Sequence, residues 1–348
     1  MSEHATVSVC PPFSGEWKVT RAYILPLADP NATLENAGGK GASLARLARA
    51  DLPVPEGFHV TTQAYKQFVA QNDLQARLLA ALASVDVSQP TTLAAASQAI
   101  CDLFTRAPMP PEIAREIERA YADLCNSQFA IRNSPIPVAV RSSATAEDLP
   151  DISFAGQQET FLNVQGAVAT QAAVKRCWAS LWTPRAIGYR AQHQSAHAAV
   201  ALAVVVQMLV YADAAGIMFT ANPVTGARDQ IVINAAWGLG EAVVGGRVTP
   251  DTLVVDKASG RVIEREIAEK TVMTVRVDEG TEERPTPEHL RRAPVLNDDQ
   301  IAELGRLGAL IENLYKMPMD IEWAIAANKI AIVQARPITA LPDASALE

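Results

Sequence analysis

A carboxylate, an amide oxygen and a guanidinium recur at strand spacing near the end of this chain, in Asp320-Ile321-Glu322-Trp323-Ala324-Ile325 and Ile330-Ala331-Ile332-Val333-Gln334-Ala335-Arg336-Pro337. Read as a hairpin whose loop is Ala327, Asn328 and Lys329, the two segments set Glu322 opposite Gln334 on one face, with Arg336 two residues beyond. The other face then holds Ile321, Trp323, Ile325, Val333 and Ala335. A metal-bound triphosphate could lie against the polar face, because Mg²⁺ takes hard oxygen ligands and commonly shares them with substrate phosphates. ATP chemistry is therefore the leading reading. An amphipathic hairpin with no ligand fits the same alternation.

Lys40 lies among Gly38, Gly39 and Gly41 at the predicted start of a helix. There the helix dipole disfavours a cation by about 0.3–1 kcal/mol, so an anion is the expected compensation. The glycines would let backbone N–H groups approach a phosphate, and Lys40 would bind it as a point charge. The segment is not a Walker A loop, since Leu34 takes the place of its first glycine and Gly41 that of its Ser or Thr. A glycine-rich helix start with a solvated lysine fits it equally. Arg141 follows a short strand and precedes Ser142, Ser143, Glu147 and Asp148, an order that suits a phosphate-contacting loop. Surface capping by the serines is the plainer alternative. Gly156 and Gln157 belong to a segment that could form a mobile lid over phosphates. Gln207, Met208 and Val210 end an apolar strand, where backbone groups could meet an adenine edge and side chains its face. Each of them also reads simply as core strand. Gly238-Leu239-Gly240-Glu241 lacks the last glycine of a dinucleotide-binding fingerprint.

The elements that must position these residues follow from periodicity. Residues 23–27 read as a first strand, followed by a helix opening at 37–44 with Leu44, Leu47 and Ala48 as its buried stripe, which Pro53 and Pro55 end. Residues 54–60 read as extended, 65–127 as mainly helical, and 138–140 and 160–164 as strands. Residues 171–191 read as a helix turning Trp178, Leu181 and Trp182 inward and bent or broken at Pro184. From about residue 198 strands follow one another, at 204–210, 216–220 and 230–234, then a hairpin of 252–256 and 261–267. Residues 279–294 read as an exposed loop. Asn297 with Gln300 forms a capping box for a helix carrying Ile301, Leu304, Leu307, Ile311 and Leu314. The expected organisation is a lead over 1–16, a first lobe over 17–200 with Lys40 and Arg141, and a second over 201–348 with the adenine strand and the metal-binding hairpin.

At 348 residues the chain can hold two core-bearing lobes, and 49 % hydrophobic with 20 % charged residues is ordinary globular composition. A net charge of −8 argues against a nucleic-acid partner and singles out any cations gathered at one site. Cys10, Cys101, Cys125 and Cys177 show neither C-x-x-C spacing nor a neighbouring histidine cluster, so reduced thiols in a cytoplasmic protein are expected. The N-terminal residues lack a secretory pattern. The longest apolar run, 198–206, falls short of the roughly 20 residues of a membrane span and reads as a buried central strand.

Taken in order, seven blocks closely resemble the ATP-binding domain of the phosphoenolpyruvate synthase and pyruvate phosphate dikinase family, which also includes rifampicin phosphotransferase. They are Gly38-Gly39-Lys40-Gly41-Ala42-Ser43-Leu44, Val54-Pro55-Glu56-Gly57-Phe58, Val140-Arg141-Ser142-Ser143-Ala144-Thr145-Ala146-Glu147-Asp148, Phe154-Ala155-Gly156-Gln157, Gly216-Ile217-Met218-Phe219-Thr220-Ala221-Asn222-Pro223, Gly238-Leu239-Gly240-Glu241 and Gln334-Ala335-Arg336-Pro337-Ile338-Thr339. The resemblance implies an α+β fold of the ATP-grasp type, two lobes enclosing the nucleotide, with ATP and Mg²⁺ as cofactors. It implies Lys40, Arg141 and Arg336 as catalytic phosphate-holding residues and Glu322 and Gln334 as metal ligands. Gly156, Gln157, Gln207, Met208, Val210 and Glu241 would bind the nucleotide.

In that family ATP phosphorylates a histidine on a swivelling domain, leaving as AMP and phosphate, and the phosphohistidine is carried to a remote acceptor. Here His4, His59, His193, His197 and His289 are the histidines, and none has the Thr-x-His-Ala setting of the family's carrier. The sequence continues nine residues past Thr339, without the carrier or acceptor domains. The expectation is a carrier on a separate protein that also handles the small acceptor, an arrangement similar to phenylphosphate synthase. A piece of a longer enzyme would read the same, though Met1 favours a natural short chain. A regulatory nucleotide-binding subunit and a direct small-molecule kinase are the other readings.

Overall fold

Apolar residues alternating at strand period build two antiparallel sheets, and helices with one apolar stripe cover them, in a computed structural model that describes residues 22–83, 85–126, 135–145, 159–192 and 201–342. The first half contains β1 (Ile24–Pro26), α1 (Leu34–Arg49), β2 (Gly57–Val60), α2 (Thr62–Gln71), α3 (Leu74–Leu82), α4 (Pro90–Arg106), α5 (Pro111–Cys125), β3 (Pro137–Ala144), β4 (Thr160–Gln165), α6 (Ala167–Ala179) and α7 (Pro184–Gln192). Then come β5 (Leu202–Met208), β6 (Ala214–Phe219), β7 (Gln230–Trp237), α8 (Glu241–Val244), β8 (Asp251–Asp256) and β9 (Val262–Glu266). The chain closes with β10 (Val272–Arg276), β11 (Thr281–Pro285), α9 (Glu288–Arg291), α10 (Asp298–Tyr315), β12 (Met319–Ala326) and β13 (Lys329–Pro337). The fold class is α+β, as expected.

The first sheet runs β1-β2-β5-β3-β4 and the second β13-β12-β6-β7-β8-β9, with β10 and β11 as a separate ribbon. Strand β5, expected in the second lobe, is the central strand of the first sheet, so that sheet extends to Met208. Val204 and Val206 face a core with Phe58, Val138, Val140, Phe68, Phe104 and Trp178, whereas Val205 faces a second core with Leu44 and Leu47 of α1. Burial on both faces explains why β5 is apolar without alternation. The second core continues into Met218, Ile231, Ile233, Ile321 and Trp323 of the second sheet and Ile301, Leu304, Leu307 and Ile311 of α10. Helix α1 thus joins the two sheets through one packed interior.

Helix α10 starts on the expected capping box: Asn297 Oδ1 accepts from Gln300 N at 2.9 Å, and Gln300 Oε1 accepts from Asn297 N at 3.0 Å. Pro184 opens α7 rather than bending a longer helix, since its missing N–H costs nothing in a first turn. Residues 279–294 are not merely a loop; they contain β11 and α9, whose charged composition concealed them.

The β12–β13 hairpin differs from expectation in an instructive way. Its loop has two residues, Ala327 and Asn328, with φ of 47° and 64°, the left-handed pair of a tight hairpin turn. Regular pairing from that loop would put Val333 opposite Glu322. A bulge restores Glu322 to Gln334. It also exchanges residues between faces: Ile332 and Ala335 are buried with Ile321, Trp323 and Ile325, while Val333 lines the cleft instead of the core. Among the described residues no helix is long and apolar enough to cross a membrane.

Candidate active site

The site begins where β3 crosses the start of α1. Gly38 breaks the helix with φ 72°, and a Cβ there would lie 2.3 Å from both the Ser143 carbonyl oxygen and its Oγ. Ser143, fully buried, repairs the interruption by donating to Ala37 O at 2.7 Å and accepting from Gly41 N at 3.0 Å. The Gly41 amide is therefore committed to Ser143 rather than held open for a phosphate, and Ser143 is an internal helix cap rather than a surface one. Lys40, on the next turn, is buried and donates to Ser142 O at 3.2 Å.

Alternation along β3 sends Val138 and Val140 into the first core and Ala139 and Arg141 into the cleft. Arg141 is buried and reaches the second sheet. Its Nη2 donates to Glu322 Oε2 and to Gln334 Oε1, both at 2.8 Å, and its Nη1 to Val333 O at 2.6 Å. The last acceptor is the carbonyl of the bulge residue. Next to this cluster Asp320 accepts from Arg336 Nε at 2.9 Å and pairs with Nη2 at 2.8 Å. Burial pushes the Asp320 carboxyl above its ordinary pKa, Arg336 opposes the shift, and the Glu322 charge adds to it. Sequence reasoning did not single out Asp320, although its spacing from Glu322 places both on one strand face.

Between the sheets lies a cavity of about 880 Å³, within the usual size of a small-ligand site. It gathers Lys40, Arg141, Gln207, Met208, Val210, Glu241, Glu322, Gln334 and Arg336, every expected site residue that the structure describes. Gly156 and Gln157 lie outside the described residues. Gln207 is held by its Nε2 donating to Pro55 O at 3.2 Å. Met208 N and Leu209 N donate to Glu56 O and Pro137 O, so an adenine edge would have to use other backbone groups of this segment. Glu241 Oε2 accepts from Thr281 Oγ1 at 2.7 Å.

The donor chemistry fits Mg²⁺. Glu322 and Gln334 turn hard oxygens toward one point, now satisfied by a single Arg141 nitrogen. Among the described residues no three His, Cys, Asp or Glu side chains gather as a self-sufficient metal cage.

The family model described as "Pyruvate phosphate dikinase, AMP/ATP-binding domain" matches residues 34–348. Over 312 residues the chain is 46 % identical to a "Probable phosphoenolpyruvate synthase" of Methanocaldococcus jannaschii, covering 89 % of this chain and 26 % of that protein. A protein of the same name from Methanothermobacter thermautotrophicus is 46 % identical over 309 residues, 89 % of this chain and 45 % of the relative. The phosphoenolpyruvate synthase of Pyrococcus furiosus is 43 % identical, the match covering 89 % of this chain and 43 % of the relative. The chain spans less than half the length of each of these relatives.

Proposed function

Because this chain belongs to the pyruvate phosphate dikinase AMP/ATP-binding domain family, we propose that it is the ATP-binding part of a dikinase-type phosphotransferase. In this reading the β-phosphate of Mg-ATP passes to a histidine on a partner protein as its bond to the α-phosphate breaks, and water cleaves the β–γ anhydride, so that AMP and phosphate are released. The partner then phosphorylates a small acceptor such as phenol or pyruvate. The observation that carries the reading is the convergence of Lys40 and Arg141 from one sheet side with Glu322, Gln334 and Arg336 from the other on a single cavity. Phosphoryl transfer calls for positioning and charge neutralisation more than covalent help from the protein.

Arg141 and Lys40 hold and orient the phosphates, and Arg336, braced by Asp320, meets the terminal ones. Glu322 and Gln334 would hold Mg²⁺, which supplies further neutralisation of phosphate charge when bound. Gln207 to Val210 and Glu241 border the part of the cavity left for the base and sugar. In this reading the two sheets and the cavity between them serve as the two lobes of an ATP-grasp enzyme enclosing the nucleotide.

The test is incubation with Mg²⁺ and ATP labelled at the β-phosphate, alone and with extract of the source cells. AMP together with acid-labile label on a second polypeptide supports the reading. ADP formed by the chain alone would replace it with a direct kinase, and binding without turnover in either mixture with a regulatory role.

A further inference from the structure

The turn between β10 and β11 belongs by connection to the second sheet's side, yet it docks on β4, the edge strand of the first sheet. Asn163 Nδ2 donates to Val277 O at 2.6 Å and to Gly280 O at 2.9 Å, and Gln165 Nε2 donates to Asp278 O at 2.9 Å. Asn163 is buried and holds φ at 59°, a left-handed conformation that asparagine tolerates better than most residues. At its root the ribbon is fixed by Leu239 N donating to Thr274 O at 2.8 Å, with Gly238 so close that a Cβ would lie 2.3 Å from that oxygen. Directly after the latched Gly280, Thr281 Oγ1 donates to Glu241 Oε2. Glu241 lines the cavity. A short chain of contacts therefore runs from an amide on the first sheet to a carboxylate in the cavity wall supplied by the second.

We propose that Asn163 is a positioning residue for the nucleotide: through the 277–280 turn and Thr281 it fixes Glu241 and holds the second-lobe wall of the cavity against β4. This rests on the ATP reading above. The latch consists of side-chain amides donating to backbone carbonyls, directional bonds that set a distance between the lobes rather than merely adding adhesion. Neither Asn163 nor Thr281 lines the cavity, so their effect on a purine nucleotide must pass through Glu241 and the wall it belongs to.

The test uses the full chain with Asn163→Gly, Asn163→Asp, Thr281→Val and the Asn163→Gly/Thr281→Val double variant, measuring Mg-ATP affinity, melting temperature and hydrogen exchange of residues 277–281. Glycine suits the positive φ, so the backbone is kept while the amide is removed. Aspartate keeps the shape but turns oxygen toward the two carbonyls. Either single change at Asn163 should weaken ATP roughly tenfold, about 1.4 kcal/mol, and speed exchange in the turn, because the wall that carries Glu241 loses its hold on β4. The double variant should lose little more than the larger single loss. Unchanged affinity in both Asn163 variants, with or without a lower melting temperature, would overturn the proposal, as would losses that add in full. Failure of the unaltered chain to bind ATP would overturn the ATP reading itself, a result distinct from either.

Discussion

Arg141 joins the two sheets through three acceptors, two side chains and one bulge carbonyl, and its forked geometry is what lets one group reach all three. Lysine at that position keeps the charge but not the fork. Arg141→Lys is expected to lower phosphoryl transfer by about 10²-fold or more, read as AMP formation in the presence of the partner. Glu322→Ala should abolish transfer while the fold survives, because Arg141 keeps Gln334 and Val333 as acceptors. Turnover in that variant would remove the metal assignment. His59 provides a separate test. Fully buried, with Nε2 bonded to Leu27 O at 3.0 Å, it has its pKa lowered by burial, against the upward pull of that carbonyl and of Asp29. Below its unfolded value of about 6.5 the unfolded chain takes up a proton that the folded chain refuses. Stability from this group is thus complete above about pH 6.5 and declines on acidification. Urea midpoints at about pH 7.5 and 5.5 should fall less in His59→Gln than in the unaltered chain; equal slopes would acquit His59.

At the scale of elements, the least expected support is Lys270, wholly buried between β9 and β10. It pairs with Asp251 at the start of β8 and donates to Ala268 O at 2.8 Å. Asp251 also accepts from Ala268 N at 3.1 Å and Val295 N at 2.9 Å, so one carboxylate ties β8 to the segments leading into β10 and α10. Removing the cation strands a buried charge. Lys270→Ala should cost about 3–5 kcal/mol in urea unfolding, and a loss below about 1 kcal/mol would mean that water reaches Asp251. The β12–β13 bulge belongs to this scale too. Alternation locates the polar face of the hairpin, but an extra residue inserted in one strand leaves no mark on composition, so alternation alone puts Val333 on the wrong face.

For the molecule as a whole, the shared core sets the limits of lobe motion. Val205 of the first sheet and Leu44 and Leu47 of α1 lie in the same cluster as Ile321, Trp323 and the α10 stripe. The two sheets should consequently unfold as one unit. Tryptophan fluorescence, with Trp178 and Trp182 in one core and Trp323 in the other, should give the same urea midpoint as far-ultraviolet circular dichroism. Two separated midpoints would show independent lobes. Closure over a nucleotide would then be a tightening around the cavity rather than the meeting of detached domains, and Mg-ATP should slow limited proteolysis without abolishing single-step unfolding.

Residue types and their local periods determined a good deal: the α+β class, the α10 capping box and the polar face of the last hairpin, whereas α1 opens at Leu34 rather than near Lys40. These are properties of a few neighbouring residues, and short-range sterics and patterning encode them. Which sheet β5 belongs to, the bulge at Val333, the commitment of the Gly41 amide to Ser143 and the three acceptors of Arg141 were decided only in three dimensions. Arg141 and Gln334 stand 193 residues apart, and Gly41 and Ser143 102. Contacts at such separations depend on how α1, β3 and the last hairpin pack into one interior, and a single chain read by local pattern carries no direct record of that packing.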